Sequence, residues 1–125
     1  MRGRLLSTAV SLAALSTTAI ADPLPIKGSY GNKEGCAYAG TGESPSSDDF
    51  FLLTPEAMTT AAAYCEIRKV LAVEGRNFIA TVSCQAEGEE GESEDTAKVT
   101  FSSRGYTIGL ASDHDIQWGP LPLCR

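Results

Sequence analysis

The sequence predicts an all-β domain, a small antiparallel β-barrel or two-layer sandwich of about six to eight strands stapled by two disulfides. Three observations lead there. Residues 65–84 alternate apolar and polar side chains with period two, the pattern of strands buried on one face. Residues 97–111 repeat that design around a Ser-Ser-Arg-Gly turn. Four cysteines occur in a chain that opens like an exported one.

In residues 65–84, Cys65, Ile67, Leu71 and Val73 share one parity, against Glu66 and Arg68; Phe78, Ala80, Val82 and Cys84 share another, against Asn77, Thr81 and Ser83. With Glu74 and Gly75 as the loop, Leu71 faces Phe78, Ile67 faces Val82 and Cys65 faces Cys84. A slip of one residue would set apolar against polar, which restricts the register. A slip of two would keep the faces matched but separate the cysteines. Lys69 falls on the apolar face, which marks either a flaw in this register or a rim position from which its amine reaches water.

Residues 1–21 carry Arg2 and Arg4, an apolar run from Leu5 and a closing Ala19-Ile20-Ala21. This is the three-part pattern of a secretory signal peptide, with cleavage expected before Asp22. Ser11, Ser16, Thr17 and Thr18 interrupt the apolar run, which argues against a membrane anchor. The expected mature chain, residues 22–125, is a single periplasmic or secreted domain that is not inserted in a membrane. Two of the 10 Lys and Arg lie in the signal, so 8 face 16 Asp and Glu, a formal charge of −8 rather than −6. Such acidity disfavours nucleic acid and anionic membrane and steers toward a cationic protein or envelope component.

Cys36, Cys65, Cys84 and Cys124 are spaced by 29, 19 and 40 residues, unlike the close spacing of a metal site. The pairing Cys65 with Cys84 and Cys36 with Cys124 follows from the hairpin; the sequential pairing, Cys36 with Cys65 and Cys84 with Cys124, is the alternative.

Along the rest of the chain, residues 22–27 hold two prolines and read as an extended arm outside any central strand. Residues 28–40 read as two short extended pieces around an Asn-Lys-Glu-Gly turn, and residues 41–49 as an exposed loop. Residues 50–54, Phe-Phe-Leu-Leu-Thr, suit a buried strand. Thr54-Pro55-Glu56 resembles a helix start, and the preferred reading of 54–64 is one helical turn near Pro55 to Met58 followed by strand. The run from Glu87 to Asp95, six acids in nine residues, reads as a solvated, mobile loop and lacks EF-hand spacing. In the second hairpin, with Ser102 to Gly105 as the loop, Phe101 faces Tyr106 and Val99 faces Ile108, and Gly105 can take the left-handed turn position. The prolines of the tail suit an edge segment pinned by Cys124.

Candidate chemistry is sparse. His114, the single histidine, lies between Asp113 and Asp115 in an expected loop; a hydrolase would use it with one of those acids and a hydroxyl nucleophile. With every cysteine bridged no thiol nucleophile remains, and Gly88 and Gly91 sit among acids that would repel phosphate. No cofactor and no metal is expected. Trp118, Tyr106, Tyr38 and Tyr30 could line a binding surface but are first expected in the core.

Gly28-Ser-Tyr-Gly, Cys36, Cys65-Glu-Ile-x-x-Val, Cys84 with Ala86-Glu87-Gly88, and Leu123-Cys124 together resemble a group of small exported four-cysteine bacterial proteins with no established activity. In size, compartment and disulfide use the chain is also similar to the small β-barrel inhibitors of lysozyme, which implies an acidic inhibitor of a basic enzyme. Their Ser-Gly-x-x-Tyr segment is missing, Ser103-Arg104-Gly105-Tyr106 being the nearest. The expected function is therefore an exported, non-enzymatic binding protein of the cell envelope, with an inhibitor of a basic hydrolase such as lysozyme, or a hydrolase built on His114, as alternatives.

Overall fold

The computed structural model describes residues 21–43 and 47–125. The signal-peptide reading therefore falls outside the described residues, apart from Ala21 and the expected cleavage point. Among them are eight strands and one helix: β1 (Tyr30–Gly31), α1 (Lys33–Thr41), β2 (Phe51–Leu53), β3 (Ala57–Thr60), β4 (Ala63–Glu74), β5 (Asn77–Ala86), β6 (Ser93–Ser102), β7 (Gly105–Leu110) and β8 (Asp113–Leu121). Each strand pairs antiparallel with the next, in the order β1 to β8. The last returns to the first: Gly31 N–H donates to Pro122 O at 2.9 Å and Cys124 N–H to Ser29 O at 2.8 Å. The product is a nearly closed barrel, which leaves little free strand edge.

The alternating residues fill its interior. Ile67, Ala80, Val82, Ala97 and Val99 are wholly buried, with Leu53, Met58, Tyr106 and Ile108 beside them. Both disulfides have the expected partners, Cys65 with Cys84 and Cys36 with Cys124. The first joins opposed residues of β4 and β5; the second ties α1 to the segment after β8, across the closure. Disulfides of this kind belong to an oxidising, extracytoplasmic environment.

The central hairpin keeps the expected register at its cysteine end and departs from it at the turn. Cys65 faces Cys84 and Ile67 faces Val82, but Val73, not Leu71, faces Phe78, and the loop is Gly75-Arg76. Two bulges make the difference, Arg68 and Leu71 having no partner on β5. Each bulge exchanges the inward and outward parities. Lys69 is thereby turned out to solvent and Val70 packs on the core opposite Ala80, while Leu71 stands 51% exposed. An ammonium enclosed in the barrel would cost several kcal/mol, far more than a local break in pairing. The second hairpin is as expected, with Phe101 facing Tyr106 and Val99 facing Ile108.

Residues 54–64 contain no helical turn. Thr54 Oγ1 accepts from Ala57 N–H at 3.2 Å and Thr54 N–H donates to Ala57 O at 2.9 Å, so Thr54-Pro55-Glu56 turns β2 into β3. A threonine accepting from the N–H three residues on, followed by proline, can open either a helix or a turn. The outcome is decided downstream, where Thr59 and Thr60 pair with Leu52 and Phe51. Thr60 repeats the device, accepting from Ala63 N–H at 3.0 Å, and the chain reverses at Ala61-Ala62 into β4.

Residues 33–41 form a helix where extended chain was expected. Asn32 caps it, its Oδ1 accepting from Gly35 N–H at 2.9 Å and from Phe51 N–H at 3.2 Å. Gly42, at φ +74°, ends it with N–H donated to Tyr38 O, so the expected loop begins a residue later than Thr41. Gly35 and Gly40 lower helix propensity and hid the element. Gly35 is there for contact, since a Cβ at this position would collide with the Phe51 carbonyl of β2.

The arm joins no strand, as expected, but bends at Pro25, where Ile26 N–H donates to Leu24 O at 2.8 Å, and its Leu24 enters the core, with N–H donated to Pro55 O at 2.7 Å. The acidic run is not a free loop through to Asp95: Ser93, Glu94 and Asp95 belong to β6, and Glu92 folds back to accept from Ser83 Oγ at 2.9 Å and Arg68 Nη2 at 3.4 Å. No helix of the described residues is long and apolar enough to cross a membrane.

Candidate functional site

In an antiparallel meander successive turns alternate between the two ends. The turns at Ala61-Ala62, at 87–92 and at Ala111-Ser112 share one end; those at Gly75-Arg76 and Ser103-Arg104 share the other. The first end gathers Glu87, Glu89, Glu90 and Glu92 and, at the start of β8, Asp113 and Asp115. The second gathers Arg76 and Arg104, joined by Arg125 after β8. The second end also carries Glu56, in the turn between β2 and β3, and Glu74, at the end of β4, so acid is concentrated at the first end and the two signs mix at the second.

At the acidic end an open recess of about 370 Å³ is walled by Thr59 to Tyr64 and by Gln85 to Glu89. Tyr64 is 49% exposed there. Glu87 N–H donates to Ala62 O at 2.8 Å and Glu89 N–H to Ala86 O at 3.1 Å, which fixes the acidic turn against the neighbouring one. Beside it the Asp95 carboxylate accepts from Thr96 N–H at 2.8 Å, Ser112 N–H at 3.1 Å and Ser112 Oγ. Burial works to raise its pKa, but these donors prevail and hold it below the ordinary 3.8.

At the basic end a recess of about 310 Å³ opens between Tyr30, Arg76, Phe101, Arg104, Leu123 and Arg125. The Arg76 guanidinium lies 3.5 Å from the Phe101 ring centroid and Nη2 donates to Tyr30 Oη at 3.4 Å. Phe101 N–H donates to Asn77 Oδ1 at 2.8 Å and fastens the β4–β5 turn to the end of β6. None of Arg76, Arg104 and Arg125 forms an ion pair among the described residues, whereas Arg68 holds Glu66 at 3.5 Å and Glu92 at 3.4 Å.

His114 lies in β8, not in a loop. It is exposed and lines a groove of about 370 Å³ on the outer wall with Ile79, Lys98, Leu110 and Ile116. Asp113 Oδ1 accepts from Asp115 N–H at 3.1 Å, and no hydrogen bond joins His114 to either acid or to a hydroxyl among the described residues. The four cysteines are structural, holding the closure and the central hairpin. Of the aromatics, Tyr30 and Tyr106 are buried, Trp118 packs on the core, and Tyr38 lies edge-on to Phe50 with centroids 5.3 Å apart.

Sequence reading overlooked the arginines, because 28 and 21 residues separate them along the chain. Counting alternate turns of a meander would have found Arg76 and Arg104. Among the described residues no three His, Cys, Asp or Glu side chains converge as metal ligands, and no buried side-chain polar atom lacks a partner. The recesses named here open at the ends and on the outer wall. No protein-family model, no curated protein and no solved structure matches the chain.

Proposed function

We propose that the protein is an exported, non-enzymatic binding protein of the cell envelope, periplasmic or secreted, that presents the acidic end of its barrel to a cationic partner. The observation that carries this reading is the recess where Glu87 and Glu89 surround the exposed Tyr64. Carboxylates steer a basic partner, and a tyrosine among small alanines offers contact area at low entropic cost. Calorimetry with a basic lysozyme as probe, over a salt series, tests it. Binding at low salt that weakens as salt rises, and that falls in the combined Glu87→Gln, Glu89→Gln, Glu90→Gln variant, is the expected result. No binding at low salt rejects the cationic partner.

The same surface favours inhibition of a basic envelope-directed hydrolase as a second reading, tested by following cell-wall lysis in the same mixtures. A hydrolase would have to use His114. Loss of an activity on envelope substrates in His114→Ala would replace the binding reading.

A further inference from the structure

We infer that the opposite, arginine-bearing end is a second binding site, for a compact carboxylate attached to an apolar body, such as a peptide C-terminus or a small hydrophobic acid. Arg68 alone is ion-paired among the described residues; of the remaining cations, Arg76, Arg104 and Arg125 converge on one recess, with no carboxylate ion-paired to them there. Guanidinium groups present planar forks of donors that match a carboxylate, and three on one recess give a ligand oxyanion several donors.

The recess is built before any ligand arrives. Arg76 is held over Phe101 and against Tyr30, and the Asn77–Phe101 hydrogen bond keeps the two turns together. On its far side, residues 122–124 are pinned by Gly31 N–H to Pro122 O, by Cys124 N–H to Ser29 O and by the Cys36–Cys124 bridge, which fixes where Leu123 and Arg125 begin. Gly105 has no room for a Cβ against the Leu121 carbonyl, so the C-terminal segment lies directly on the β6–β7 turn. Phe101 and the 51% exposed Leu123 supply an apolar floor beside the charges. A recess of about 310 Å³ lies at the small end of the range for small-molecule sites, which suits an end group rather than a long chain.

The site shares no residue with the acidic end, so failure of either reading leaves the other standing. The test is a titration followed by backbone amide NMR at constant ionic strength, with N-acetylphenylalanine, N-acetylphenylalaninamide and inorganic phosphate as probes. The acid is expected to shift the amides of Arg76, Phe101, Arg104 and Leu123, and its amide counterpart to bind at least about tenfold more weakly, the low end for a charge-assisted hydrogen bond. Arg76→Gln and Arg104→Gln should each weaken the acid by about tenfold, while Lys69→Gln, which removes the same charge from the outer wall, should not. The Arg104 side chain makes no hydrogen bond or ion pair among the described residues, its backbone N–H alone donating to Ser102 Oγ, so its variant stays folded if Arg76→Gln does not. Phosphate should compete with the acid but bind more weakly. Equal binding of acid and amide, shifts that map elsewhere, or equal losses in Lys69→Gln overturn the site. Phosphate binding as tightly as the acid overturns the apolar half of the assignment.

Discussion

Tyr30 meets Tyr106 edge-on, ring centroids 4.7 Å apart, and the contact joins β1 to β7 inside the barrel, behind the β8 segment that closes it. Tyr106 also lies 5.0 Å from Phe101 and 6.2 Å from Phe78. One ring therefore links the closure, both long hairpins and, through Phe101 and Tyr30, the perch of Arg76. Tyr106→Ala should cost about 3–5 kcal/mol by urea unfolding, the range for emptying a buried aromatic site. Tyr30→Phe, which keeps the ring and removes only the acceptor for Arg76, should cost at most about 1 kcal/mol. A similar loss from both would mean that the hydroxyl, not the ring packing, holds the closure.

The two disulfides should differ in worth. Cys36–Cys124 closes 88 residues and Cys65–Cys84 closes 19. On loop entropy alone, replacing the first pair by serine should cost about 4–5 kcal/mol and the second about 3 kcal/mol. Denaturation midpoints of the two double variants check the order, and peptide mapping without reductant checks the pairing.

Gly105 and Gly75 both have positive φ, +118° and +62°, but their surroundings differ. Alanine at Gly75 meets open space and should cost about 1–2 kcal/mol for the left-handed backbone alone. Alanine at Gly105 must also displace the Leu121 carbonyl and should cost about 2–4 kcal/mol. Thermal unfolding of the two variants gives the comparison.

Asp95 should contribute an acid-sensitive part of the stability. Its folded pKa is held below the unfolded value, so its stabilisation is complete above about pH 4 and is lost as pH falls through the folded pKa. The stability gap between the protein and Asp95→Asn should be constant near neutrality and shrink below about pH 4. Urea midpoints at pH 7 and pH 3 measure it, and a gap that widens in acid would reverse the assignment.

The hairpins were legible because period-two alternation is a local property with a global meaning: a strand buried on one face must alternate. Parity brought Cys65 opposite Cys84 and Phe101 opposite Tyr106, and the four-cysteine count then paired Cys36 with Cys124 and required the sheet to curl back. Lys69 on the apolar face was the visible trace of the two bulges, but parity cannot say which residue is skipped. The barrel decided that, since enclosing Val70 and releasing Lys69 and Leu71 satisfies its interior.

The sequence by itself thus determined the class of fold, the faces of the second hairpin and of the cysteine end of the first, and favoured the observed cysteine pairing over the sequential one, all of which follow from where apolar side chains recur. Tertiary structure alone decided the rest. Helix α1 exists although Gly35 and Gly40 oppose it, because Asn32 and Gly35 bind it to β2. The Thr54 turn is a hairpin because Thr59 and Thr60 find strand partners. Arg76, Arg104 and Arg125 form a group because alternate turns meet at one end, while the turn at 87–92 carries its acids to the other. Such groupings depend on how distant strands return through space, and no local periodicity records that.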